Sequence, residues 1–124
     1  MRLLLAIAAV MEGLTGLVLF VYPPVVVRLL FGGEIAGVGI VVCRLTGISL
    51  MALAVACWPD ELARRGLYGL LTYNAFASLY LAYVAIGREW TGKLLWPAIV
   101  LHAGLAALIF KGWLEQRKTP RTKS

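Results

Sequence analysis

Glu12, Arg44, Tyr73, Asn74 and His102 are the side chains here with the means to do chemistry, and each interrupts a long apolar run near its middle. A carboxylate, a guanidinium, a phenol, an amide and an imidazole at that depth could bind a polar solute, a lipid headgroup or a quinone, or relay protons. Histidine suits proton exchange because its ordinary pKa is about 6.5. An ionisable group at bilayer depth costs roughly 2.5 to 3.5 kcal/mol on insertion scales, so helices carrying such groups are expected to turn them inward and pair them.

The surrounding composition requires lipid as the solvent. Apolar residues make up 61% of the 124 residues and charged residues 15%, against roughly 45 to 50% and about 25% in soluble domains. A water-soluble chain of this length has too much surface for its volume to hide so much apolar area.

Crossing a hydrocarbon core of about 30 Å takes about 20 mainly apolar residues in a helix. Four such spans are predicted: Leu3 to Tyr22, stopped by Pro23 and Pro24; Ile35 to Trp58, stopped by Pro59 and Asp60; Gly66 to Ile86, stopped at Gly87; and Leu94 to Trp113. Proline cannot continue the hydrogen-bond ladder, whereas Pro97 falls in a first turn and is tolerated. The expected fold is an all-α integral membrane four-helix bundle over residues 1–113. Its loops are short and its consecutive helices antiparallel, with a basic tail over 114–124. The stretch from Tyr22-Pro23-Pro24 to Phe31-Gly32-Gly33 is expected to be a connection. Arg2 and the apolar residues after it resemble the start of a signal peptide, but Glu12 interrupts the run and the segment is expected to be retained.

Arg2, Arg64, Arg65, Lys111, Arg117, Lys118, Arg121 and Lys123 fall on one side of these spans, and Arg28, Arg88 and Lys93 on the other. That excess places both termini in the cytoplasm, in the inner membrane. Trp58, Trp90, Trp96 and Trp113 lie near helix ends, where an amphipathic ring gains from both phases. The net charge of +6 comes largely from the stretch Lys111 to Ser124. It reads first as a topology signal and second as a surface for anionic lipid, at about 1 kcal/mol per basic residue. Nucleic acid is not an expected partner. Cys43 and Cys57 lie about 21 Å apart along one helix and cannot bond to each other there.

Small residues mark where membrane helices approach closely. Ala6, Ala9, Gly13 and Gly16 form one such stripe, with Glu12 beside Ala8, Ala9, Thr15 and Gly16. Gly37, Ile40, Arg44 and Gly47 form a second, and Asn74, Ala77, Ser78, Ala82 and Ala85 a third; His102 sits near Ala98, Ala103 and Ala106. At 1.5 Å per residue Glu12, Arg44, Asn74 and His102 all fall near the midplane. A Glu12–Arg44 ion pair is therefore expected, since either charge alone would be costly. Such a pair could simply fix helix register, with Tyr73, Asn74 and His102 satisfying leftover donors and acceptors; alternatively, the layer is a site.

Enzyme signatures are absent: there is no phosphate-binding glycine loop, no His-Glu-x-x-His and no Gly-x-Ser-x-Gly. One His with one Glu falls short of a metal set, and no internal repeat suggests a transporter built from inverted halves. No cofactor is predicted, although a quinone or lipid would suit the layer.

The stretches Arg44-Leu-Thr-Gly-Ile-Ser-Leu-Met-Ala-Leu and Leu95-Trp-Pro-Ala-Ile-Val-Leu-His102, with four short-looped helices and a Tyr-Pro closing the first, resemble small bacterial membrane proteins of the DoxX-like kind. Some of these are described as accessory subunits of quinol-oxidising or other redox complexes. The resemblance implies a four-helix bundle with a membrane partner and carries over no catalytic residue. The leading expectation is a non-enzymatic accessory or binding subunit of a membrane complex. The alternatives are an oligomeric transporter of protons or small solutes, and a quinone-linked redox subunit.

Overall fold

A computed structural model of the chain describes residues 1–59, 64–88 and 90–118. Asp60, at the expected stop of the second span, and tail residues 119–124, Arg121 and Lys123 among them, lie outside the described residues. The described elements are all helical: α1 Arg2–Val21, α2 Pro23–Phe31, α3 Val38–Ala56, α4 Arg64–Gly87 and α5 Leu95–Lys118. Four of these, α1, α3, α4 and α5, are long and apolar enough to cross a membrane.

Two elements differ from the sequence expectation. Residues 23–31, expected to be a connection, form α2, because Pro23 and Pro24 occupy its first turn, where a missing N–H leaves no bond unmade and a fixed φ favours the helix. The prolines that stop α1 thus start α2, and Gly32, at φ 70°, ends it in the left-handed conformation. The last helix continues past Trp113 to Lys118, into the stretch expected to be tail. Its extra turns carry their own support: the Arg117 guanidinium lies 4.1 Å above the Trp113 ring, and Trp113 Nε1 donates to the Tyr68 hydroxyl at 3.3 Å.

The helices associate chiefly as two pairs, α1 on α3 and α4 on α5. The α1–α3 seam is built on backbone contact. A Cβ on Gly16 would lie 2.6 Å from the Gly47 carbonyl oxygen, a separation no real side chain tolerates, so only glycine permits this approach. Gly13 opposite Ala54 and Gly47 opposite Phe20 continue the seam and make the two helices antiparallel. α4 and α5 are likewise antiparallel, with Tyr68 beside Trp113 and Asn74 beside His102. Leu5, Ala8, Cys57, Leu67, Leu70, Leu105 and Ile109 join the pairs in one buried cluster at the end where Met1 packs beside Gly112. Both cysteines are free.

At the other end, α2 is held against the start of α5. Gly92 N–H donates to the Leu30 carbonyl at 3.1 Å and Leu94 N–H to that of Leu29 at 2.8 Å. Those carbonyls belong to the last turn of α2, which leaves them without intrahelical partners.

Candidate functional site

Each helix at the centre presents its polar residue through its small-residue face. On α1 the buried positions Leu5, Ala8, Ala9, Glu12, Gly16 and Leu19 recur at helical spacing, and Glu12 is only 2% exposed. On α4, Asn74 is fully buried and Tyr73 half-buried; on α5, His102 is half-buried. The structure brings these four together.

The hydrogen bonds fix the orientation of the layer. Asn74 Nδ2 donates to the Leu70 carbonyl at 2.9 Å, so its Oδ1 faces α5 and accepts from His102 Nδ1 at 2.8 Å. The imidazole proton therefore sits on Nδ1, leaving Nε2 as the acceptor of the neutral ring. Tyr73 meets the His102 ring edge-on, with centroids 5.8 Å apart and planes at 82°, and its hydroxyl donates to the Glu12 carboxylate. Glu12 Oε1 lies 3.7 Å from His102 Nδ1, within ion-pair range once the ring is protonated. That distance is too long for a hydrogen bond, and Oε1 is a buried oxygen with no hydrogen-bond partner among the described residues.

Arg44 is not part of this layer, and the expected Glu12–Arg44 pair does not form. Arg44 is exposed on α3, with no ion pair among the described residues, and the group facing Glu12 is His102. The reason is the glycine seam. Gly47 and Leu50 are the buried positions of α3, and Arg44 lies about 60° around the helix from Gly47. α1 meanwhile turns Gly13 and Gly16 to α3, while Glu12 on the adjacent row reaches His102 of α5, and Arg44 stays outside the layer.

Beside the layer lies a pocket of about 510 Å³, walled by α1, α2, α4 and α5. Glu12, Thr15 and His102 are its polar lining; the rest is apolar, with Leu30, Leu81 and Ala98 representative of the other elements. Its α1 wall includes Met11, Leu14 and Val18 and its opposite wall Leu94, just before α5, and Leu101 on α5, all exposed, so it opens sideways between these helices. Toward Met1, by contrast, the layer is bounded by the packed cluster of Leu5, Ala8, Leu70 and Ile109. The Thr15 hydroxyl is already used, donating to the Met11 carbonyl at 2.8 Å.

Glu12, Tyr73, Asn74 and His102, which the sequence marks as one layer, lie together, whereas the pocket beside them has no sequence signal. The volume arises from α2 folding back over α1 and α5, a packing outcome that no local pattern encodes. Comparison with protein-family models, curated proteins and solved structures gives no match.

Proposed function

We propose that this chain is a non-enzymatic, multi-pass membrane protein that binds a lipophilic small molecule in the pocket between α1, α2, α4 and α5. Glu12 and His102 form its polar wall, and the orientation places both termini in the cytoplasm. One observation carries the reading: a carboxyl group 2% exposed, with one oxygen lacking a hydrogen-bond partner among the described residues, stands in the wall of a largely apolar pocket. Buried polar groups are almost always satisfied, and an exception calls for an explanation. A pocket of this volume lies in the usual range for small-molecule sites, about 300 to 1,000 Å³. The side opening suits a ligand that arrives through the hydrocarbon, as a quinone or lipid does. The packed cluster on the Met1 side of the layer favours a binding site over a through-route for solutes or protons.

The test is to extract the protein gently from native membranes and identify retained small molecules by mass spectrometry, beside an Ala98→Trp variant whose ring fills the pocket. The parent should carry one lipophilic species near stoichiometry and the variant should lose it while remaining folded. Identical lipid profiles for the two would refute the reading.

A specific observation also favours an accessory role within a larger complex, the role the DoxX-like resemblance implies. Arg44 presents a guanidinium with no counter-ion among the described residues, about 9 Å along α3 from its first residue, beside exposed Val41, Val42, Leu45 and Ile48. A carboxylate on a partner's transmembrane helix would satisfy it. An intact second subunit in the parent extract, absent from Arg44→Met material, is the expected result; the same composition in both would remove this support.

A further inference from the structure

We propose that the head of the bound molecule is a hydrogen-bond donor, a hydroxyl on an apolar body, seated between Glu12 and His102. This deepens the binding reading above and rests on it.

The donors of the layer are already spent on one another. Tyr73 gives its proton to the Glu12 carboxylate, His102 Nδ1 gives its own to Asn74 Oδ1, and Asn74 Nδ2 donates to the Leu70 carbonyl. The Thr15 hydroxyl, the remaining polar group of the pocket lining, donates to the Met11 carbonyl. What stays unfilled among the described residues is accepting capacity: Glu12 Oε1, buried and without a hydrogen-bond partner there, and Nε2 of the neutral imidazole. Two acceptors in one polar wall favour a ligand that brings the proton. An ether or ketone of the same shape would set lone pairs against lone pairs and leave Oε1 as it stands.

The surroundings narrow the class further. The pocket is apolar beyond this wall and opens sideways through exposed Leu14, Val18 and Leu101, so the body attached to the hydroxyl is hydrocarbon. A free sugar or amino acid would bring polar groups that this lining could not satisfy. A long-chain or isoprenoid alcohol, or a phenol carrying an alkyl tail, fits both constraints. Tyr73 and Asn74 are positioning residues in this scheme: Tyr73 fixes the carboxylate, and Asn74 sets which imidazole nitrogen keeps the proton.

The experiment uses the full chain in lipid nanodiscs and three tail-matched probes: a 4-alkylphenol, its methyl ether and the corresponding 4-alkyl acetophenone. Partition of each probe into loaded and empty nanodiscs is read by mass spectrometry, with Ala98→Trp reporting any binding outside the pocket. The phenol should bind about tenfold more tightly than the ether, the order expected for one hydrogen bond made inside an apolar pocket. In Glu12→Gln this ratio should collapse toward one while ether affinity is kept. The parent ratio alone decides the matter if that variant does not fold. Equal binding of phenol and ether, abolished by Ala98→Trp, would overturn the donor assignment and leave the pocket standing. Preference for the ketone would overturn it as well, by making the carboxyl group the donor. No pocket-dependent binding of any probe would refute the binding reading itself.

Discussion

Two neighbouring rows of α1 solve opposite problems. Toward α3 the helix offers Gly13 and Gly16, and backbones meet so closely that no side chain fits at Gly16 or Gly47. Toward α4 and α5 it offers Glu12, and the helices stand far enough apart to hold a carboxyl, a phenol, an amide and an imidazole in one layer, with a pocket beside it. The first contact works by dispersion over a tight seam and has no polar side chain to satisfy. The second leaves an acceptor unfilled. Stability and chemistry are therefore divided between neighbouring rows of one helix, Glu12 lying about 40° from Gly16 and about 100° from Gly13, and substitutions on the two should fail in different ways.

The largest effect is expected on the seam. Gly16→Leu would drive a side chain into the Gly47 carbonyl and should destabilise the fold by about 3 kcal/mol, seen as loss of a sharp thermal transition in detergent. Gly104→Ala, where a Cβ meets nothing, is the matched control and should be neutral or slightly stabilising, by up to about 1 kcal/mol. Equal damage from both would mean that glycine matters here for reasons other than close approach.

On the polar face, Asn74→Leu keeps the bulk but removes the acceptor that fixes His102 Nδ1. A loss of about 2 kcal/mol is expected, with weaker retention of any pocket ligand. A variant as stable as the parent that keeps its ligand would show that the amide does not position the ring. Smaller still should be Arg44→Met, within about 0.5 kcal/mol of the parent in folding stability, because Arg44 touches no partner among the described residues. A large loss would place Arg44 back inside the fold.

The sequence made the long helices legible because each is close to a bilayer in length and bounded by proline or glycine. It also made Glu12, Asn74 and His102 legible as one layer, since equal depth follows from counting residues along each span. Depth says nothing about azimuth, however. Arg44 shares the depth of Glu12 and a stripe with Gly47, yet the close approach at Gly47 selects a neighbouring row as the seam and leaves Arg44 outside. Distinguishing adjacent rows needs the partner helix, which a single sequence does not supply. α2 was hidden for a different reason: Pro23 and Pro24 stop one helix and start the next, and these two roles look alike in a linear reading.

The most direct test of this division is a pair of double-mutant cycles measured as unfolding free energies in the same detergent, Glu12→Gln with His102→Gln and Glu12→Gln with Arg44→Met. Contact across the polar layer predicts a coupling of about 1 kcal/mol for Glu12 with His102, and additivity within about 0.5 kcal/mol for Glu12 with Arg44. Strong coupling of Glu12 to Arg44, with none to His102, would contradict the account and return the buried carboxylate to the α3 side of the molecule.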